Sequence, residues 1–117
     1  MNELKTLREI CEEVNVTRRA VQGYENKGLV TPLGKNKYGH LLYGEEEKKK
    51  IRYIKILQEF GFSLNEVKIM EDASVEVKNN MLSKQKERLL EKRDRMDVLI
   101  QSIEVMISEL EKEGAKR

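Results

Sequence analysis

The segment RRAVQGYEN, residues 18–26, carries four side chains able to hydrogen-bond to the edges of DNA bases. A guanidinium such as that of Arg18 or Arg19 can donate two hydrogen bonds to guanine, and the amides of Gln22 and Asn26 can pair with adenine. Arg18, Arg19 and Gln22 fall in the first two turns of a predicted helix, and Asn26 follows. That is the region that base-reading helices present to the major groove.

Positive charge is concentrated around this segment. Between Val14 and Gly44 the only acidic residue is Glu25, whereas five of the chain's 23 basic residues lie there; the formal net charge of the whole chain is only +2. Lysines at 27, 35 and 37 are suited to phosphates, which position a protein on a duplex without reading its sequence. A locally basic face is expected where a protein meets a polyanion. The alternative is that these are ordinary solvated surface charges.

No pattern in the sequence indicates catalysis. Paired carboxylates, a phosphate-binding glycine loop and a nucleophile with its base are all missing from the sequence, so we expect no enzyme. His40, the only histidine, lies near a hairpin tip without a partner, which favours a surface or DNA-facing role. Cys11 lies on an apolar helix stripe and is expected to be a small core residue rather than a redox sensor. We therefore expect neither a cofactor nor a metal site.

The composition favours helices with one apolar stripe each. Of 117 residues, 38% are charged and only 5% aromatic, which argues against a thick globular core. The chain has no apolar run of 18 residues and its start, MNELKTLREI, lacks a signal-peptide core. A single cysteine excludes an intramolecular disulfide. These features predict a soluble, cytoplasmic protein that does not associate with a membrane.

Two short helices are predicted at the N-terminus. The first follows the capping box TLRE, residues 6–9, and ends near Asn15, which tolerates a left-handed turn. The second begins after Thr17 and ends at Gly28, a residue suited to a helix C-terminus. Two helices joined by so short a turn predict a helix-turn-helix. The buried face of the second helix is expected to contain Ala20, Val21 and Tyr24.

A hairpin and two further helices are predicted next. The breakers in TPLGKNKYGHLLY, residues 31–43, predict a hairpin whose tip lies between Gly34 and Gly39. EEEKKK, residues 45–50, opens a third helix that runs to Gly61, and its charges are expected to pair within that helix. A second capping box, SLNE at 63–66, opens a fourth helix. This compact domain is predicted to span residues 1–73.

The C-terminal part is predicted to be one long helix. No helix breaker occurs from Val75 to Glu113, and apolar residues recur at intervals of seven from Leu82 to Leu110. The small N-terminal domain cannot cover an apolar stripe of this length. We therefore expect residues 74–113 to form a coiled coil with a second copy of the chain. Residues 114–117 are expected to form a tail. The stripe widens after Met96; this unevenness leaves parallel and antiparallel pairing open. The predicted dimerisation residues are Leu82, Leu89, Met96, Leu99, Ile100, Ile103, Met106, Ile107 and Leu110.

The motifs VTRRAVQGYENKGLVTP, YGHLLY and GFSLNEV together resemble the MerR family of bacterial transcription regulators over roughly residues 4–72. The resemblance implies a mainly α fold, a winged helix-turn-helix followed by a long antiparallel coiled-coil helix, here in a short form without an effector domain. It implies a homodimer that binds an inverted repeat in promoter DNA, bends and untwists it, and thereby alters engagement by RNA polymerase. It places Arg18, Arg19 and Tyr24 on the recognition helix, and Lys35, Lys37 and Tyr43 in the wing.

The sequence departs from the family pattern at two pairs of residues. Gln22 and Gly23 replace an Arg–Tyr pair, and His40 and Leu41 replace a Tyr–Arg pair. The loss of two phosphate-binding arginines keeps an alternative open, in which the chain is an interaction module acting through its coil or an architectural DNA-binding factor. The full set of predicted DNA contacts is Thr17, Arg18, Arg19, Gln22, Tyr24, Lys27, Lys35, Lys37, Tyr38, His40 and Tyr43.

Overall fold

A computed structural model describes residues 3–116. The structure does not describe Met1, Asn2 and Arg117. The start of the predicted domain 1–73 and the end of the predicted tail 114–117 therefore lie outside the described residues. The fold is mainly α with a small sheet. The chain divides into two compact units, one ending at Ser74 and the other beginning at Val75. The elements in chain order are β1 (Lys5–Thr6), α1 (Leu7–Val14), α2 (Arg18–Asn26), β2 (Gly34–Lys35), β3 (Leu41–Tyr43), α3 (Glu45–Glu59), α4 (Leu64–Glu71) and α5 (Val75–Ala115).

The predicted helix-turn-helix is confirmed, and side-chain caps fix its boundaries. At the start of α1 the Thr6 hydroxyl accepts from the Glu9 N–H, and the Glu9 carboxylate accepts from the Thr6 N–H at 3.0 Å. The helix ends at Asn15 in a left-handed conformation, with φ of 60°. Two residues later the Thr17 hydroxyl accepts from the Ala20 N–H at 3.0 Å, so α2 begins at once. These caps set the direction of α2.

The hairpin is confirmed, with two differences in detail. Gly34 lies within β2 rather than at the tip, and the turn spans residues 36–40. A third strand, β1, was not predicted. It pairs antiparallel with β3, which also pairs antiparallel with β2, giving the order β1-β3-β2. Because Thr6 faces Leu42, the wing is joined to the residue that caps α1.

The core of the first unit lies between α1, α2, α3 and α4. Its buried side chains are Ile10, Val14, Val21, Tyr24, Leu29, Val30, Tyr43, Ile51, Ile54, Leu57, Phe62, Val67 and Met70. The predicted pairing of charges within α3 is partly wrong. Lys48 Nζ lies 2.6 Å from the carboxylate of Glu13 on α1, and Lys5 binds the same carboxylate. The charge run therefore joins α3 to α1 and β1 as well as supporting its own helix.

The second unit is the long helix α5, which continues two residues beyond the predicted end at Glu113. Its 41 residues give a length of about 62 Å at 1.5 Å per residue. All nine predicted dimerisation side chains are exposed in the single chain, with exposed fractions between 39% and 64%. The apolar stripe is therefore present and uncovered along the described helix.

Candidate nucleic-acid interface

The N-terminal half of α2 presents its polar side chains to solvent. Thr17, Arg18, Arg19 and Gln22 are all exposed, whereas Val21 on the opposite face is fully buried. This arrangement follows from the helical period, because residues one turn apart share a face. The side chains that can read bases therefore lie together on one accessible surface.

At the other end of α2, Lys27 is exposed but already has a partner. Its Nζ donates a hydrogen bond to Oδ1 of Asn65 on α4. The neighbouring Gly28 has a φ of 71°, and its carbonyl accepts from Lys68 Nζ at 3.3 Å. Two lysines thus gather where α2 meets α4, and Lys27 must release or share Asn65 to bind a phosphate.

Two tyrosines among the predicted DNA contacts, Tyr24 and Tyr43, are core residues in the structure. Tyr43 is 0% exposed and Tyr24 only 2%. The Tyr24 hydroxyl lies 3.1 Å from Oε1 of Gln58, and the Tyr43 hydroxyl donates to the carboxylate of Glu25. Burial, together with this carboxylate, raises the pKa of Tyr43. Both side chains hold α2 in place, Tyr24 through Gln58 on α3 and Tyr43 from β3 through Glu25.

The contact with Tyr43 also explains the one acidic residue in the basic segment. Glu25 is half-buried and accepts the hydrogen bond of a fully buried hydroxyl. Its carboxylate is bound to the Tyr43 hydroxyl, while Arg18, Arg19 and Gln22 are exposed. The exposed side chains of α2 therefore remain positively charged, although the segment contains the acidic residue Glu25.

The turn of the wing is shaped by Asn36 and Gly39. Oδ1 of Asn36 accepts from the backbone N–H groups of Tyr38 at 2.9 Å and His40 at 3.0 Å. Gly39 has a φ of 80°, which favours glycine. Tyr38 is 72% exposed, and Lys37 Nζ lies 5.1 Å from the centre of its ring. The wing thus presents a cation and an aromatic ring on a fixed backbone, with Lys35 exposed on β2.

A cleft of about 380 Å³ joins the recognition helix to the wing. Its lining residues are Thr6, Leu7, Arg8, Arg18, Gly39, His40 and Leu41. Arg18 and His40, both predicted DNA contacts, therefore share one concave surface. Arg8 on α1 was missed because it lies outside the basic segment and pairs with Glu12 at 3.3 Å. The unpredicted β1–β3 pairing joins the start of α1 to the wing.

Gly23 lies close to α4. A Cβ added at this position would lie 3.6 Å from Cδ1 of Leu64 on α4, an ordinary van der Waals distance. The position is half-buried within the first unit and can accommodate alanine.

Other candidate chemistry in the described residues is limited. Within residues 3–116 no group of three or more His, Cys, Asp or Glu side chains is arranged to hold a metal ion. Cys11 is a free, half-buried thiol, and burial raises its pKa. None of the described helices combines the length and apolarity needed to cross a membrane.

Comparison with known proteins places these features in a family. The model of the MerR HTH family of regulatory proteins matches residues 5–74. The HTH-type transcriptional activator mta of Bacillus subtilis is 32% identical over 98 residues, 84% of this chain. The present chain spans only 38% of the length of that activator.

Solved structures show the same fold. A MerR family transcriptional regulator from Bacillus cereus has a TM-score of 0.79 and 25% identity, over 94% of this chain and 84% of that one. HiNmlR, a MerR family regulator lacking the sensor domain and solved bound to promoter DNA, has a TM-score of 0.66 over 84% of this chain and 79% of its own. At 16% identity this second likeness concerns the fold alone.

Proposed function

The chain belongs to the MerR family of helix-turn-helix regulators, and we propose that it is a homodimeric regulator that binds promoter DNA sequence-specifically. The observation that carries this proposal is the exposed surface formed by Arg18, Arg19 and Gln22 beside the cleft that joins Arg18 to the wing. With α2 in the major groove, these side chains reach base edges.

The wing supplies contacts that position the protein on the duplex. Lys35 and Lys37 are exposed there, and the hydrogen bonds of Asn36 fix the backbone that carries Lys37 and Tyr38. Contacts of this kind bind phosphates and carry no sequence information. Affinity is therefore shared between α2 and the wing, while specificity comes from α2.

Promoter DNA is the proposed target because relatives with this fold are named as regulators of transcription. One is called a transcriptional activator, and another was solved bound to promoter DNA. Two heads on one dimer would contact two half-sites, and bending or untwisting the DNA between them would change its engagement by RNA polymerase. The energy of that deformation depends on the sequence deformed, which adds to the specificity of the base contacts.

The proposed homodimer rests on α5. A row of exposed apolar side chains from Leu82 to Leu110 at heptad spacing is unfavourable in water. Pairing with the same helix of a second chain buries it, and the widened stripe after Met96 gives the distal half the larger share. The pairing that we propose is antiparallel, as the family resemblance implies.

DNA binding is tested by fluorescence anisotropy on the duplex upstream of the protein's own gene, beside a scrambled duplex, over a salt series. We expect a preference of about 10³ or more for the native duplex. Equal and steeply salt-dependent binding to both duplexes would instead indicate an architectural factor that contacts phosphates alone. Binding to neither would favour an interaction module that works through α5.

Dimerisation is tested by sedimentation equilibrium on two matched variants of α5. Ile103→Asp places a charge on the apolar stripe, and Ser108→Asp places the same charge about 140° around the helix. We expect the first variant to be monomeric at micromolar concentration and the second to remain a dimer. Dimers of equal strength in both variants would contradict the proposed seam.

A further inference from the structure

We propose that the cleft between α1, α2 and the wing holds a DNA backbone phosphate, and that His40 binds this phosphate only when its imidazole is protonated. DNA binding would then be coupled to the uptake of a proton at His40. The inference rests on the proposed function in one respect, that DNA is the ligand. It adds a dependence on pH at His40, which takes the place of a residue usual in the family.

The first support is the geometry of the cleft. At about 380 Å³ it has room for a phosphate group, and it is lined by Arg8, Arg18 and His40 from three different elements. The backbone of His40 is held by Asn36 through two hydrogen bonds, each of 3.0 Å, one to its N–H and one to its carbonyl oxygen. The ring is exposed, so it can exchange protons with water.

The second support is the charge around the ring. Arg8 faces the cleft from α1 and Arg18 from α2, while Lys37 and Tyr38 lie beside His40 in the wing turn; the rings of Tyr38 and His40 are 6.3 Å apart. Among the described residues that line the cleft there is no carboxylate. Two acids lie next to this group: Glu12, the partner of Arg8, and Glu9, whose carboxylate accepts hydrogen bonds from the cleft residue Thr6.

The charges around the cleft make protonation of His40 and binding of the phosphate favour each other. A phosphate held in the cleft attracts a positive charge on the imidazole, so the bound anion favours the protonated ring. Histidine is the side chain whose ordinary pKa, roughly 6.5, lies nearest neutral pH, and His40 is the only histidine of the chain. A coupling seen between pH 5.5 and 8 can therefore be traced to one residue.

The test is fluorescence anisotropy between pH 5.5 and pH 8 on the native upstream duplex and on a scrambled one. Three full-length proteins are compared: wild type, His40→Gln, which cannot take up the proton, and His40→Arg, which carries a permanent charge. Urea unfolding at both pH limits checks that the variants are folded. The scrambled duplex is needed because a phosphate contact does not depend on base sequence.

We expect the affinity of the wild-type homodimer to rise about a hundredfold more than that of His40→Gln on acidification, because each of the two heads gains one hydrogen bond to a charged group, worth about tenfold. The salt slope of wild type should steepen by about 1.8 over the same range, about 0.9 for each head. His40→Arg should bind tightly throughout, without the extra rise.

Equal pH dependence in wild type and His40→Gln would overturn the inference. The dependence of binding on pH should appear on both duplexes. It would therefore support the inference even if the protein showed no sequence preference and the proposed promoter function were wrong. Conversely, strong preference for the native duplex with no effect of His40→Gln would overturn the inference alone. Failure to bind either duplex at any pH would overturn both.

Discussion

Replacing Gly23 by alanine should stabilise the protein without changing its affinity for DNA. The residue lies within α2, where glycine costs about 0.5–1 kcal/mol relative to alanine because the unfolded chain has more conformations to lose. The added methyl group would sit 3.6 Å from Leu64, a contact that needs no rearrangement. The free energy of unfolding should therefore rise by about 0.5–1 kcal/mol.

Gly28→Ala is the matched control, because the chemical change is the same at the end of the same helix. Gly28 has a φ of 71°, a conformation that costs an L-residue about 1–2 kcal/mol. Gly23→Ala and Gly28→Ala should therefore change the free energy of unfolding in opposite directions. The contrast separates helix propensity from any general effect of alanine.

Urea unfolding at one fixed chain concentration measures both variants, since any dimerisation makes the midpoint depend on concentration. DNA affinity of Gly23→Ala is measured in parallel and should change less than about twofold, because the methyl group points to α4. Destabilisation by Gly23→Ala would show that the packing beside Leu64 is tighter than described. A large loss of affinity at unchanged stability would show that this position approaches DNA after all.

Three further outcomes are expected. Tyr43→Phe removes the hydrogen bond to the half-buried Glu25 and should lower the free energy of unfolding by about 1–2 kcal/mol, measured in urea. Hydrogen bonds from Lys48, then Lys5, lower the pKa of Glu13 from 4.5 to about 2. The ionised carboxylate therefore stabilises the fold above pH 4.5, and this stabilisation is lost as the pH falls toward 2. The urea midpoint of Glu13→Gln should not show this loss between pH 4.5 and pH 2. Lys37→Ala should weaken binding to native and scrambled duplexes equally and reduce the salt slope of the homodimer by about 1.8 in anisotropy titrations, about 0.9 for each head; a loss of sequence preference would contradict its role as a phosphate contact.

The features that could be predicted from the sequence are those set by neighbouring residues. The capping boxes at Thr6 and Ser63, the left-handed Asn15 and the turn at Gly28 depend on contacts within a few positions, and all are confirmed. The length of α5 followed from the absence of breakers. Local chemistry decides helix ends, so these boundaries were accessible without a structure.

The features that were missed depend on tertiary contacts. The strand β1 has two residues and exists only because Lys5 and Thr6 pair with β3. That pairing brings Arg8 to the cleft, so a site residue outside the basic segment could not be found from charge patterning. The inward Tyr43 and the pairing of Lys48 with Glu13 likewise join elements far apart in sequence.

The central claim, that α2 and the cleft form the DNA-binding surface, is tested most directly by comparing Arg18→Ala with Arg52→Ala. Both remove an exposed arginine from the first unit, but Arg52 lies on α3 and is not among the residues that line the cleft. Anisotropy on native and scrambled duplexes should show at least a tenfold loss of affinity for the native duplex with Arg18→Ala, and little change with Arg52→Ala. Equal effects of the two variants, or an unchanged preference for the native duplex in Arg18→Ala, would contradict the account.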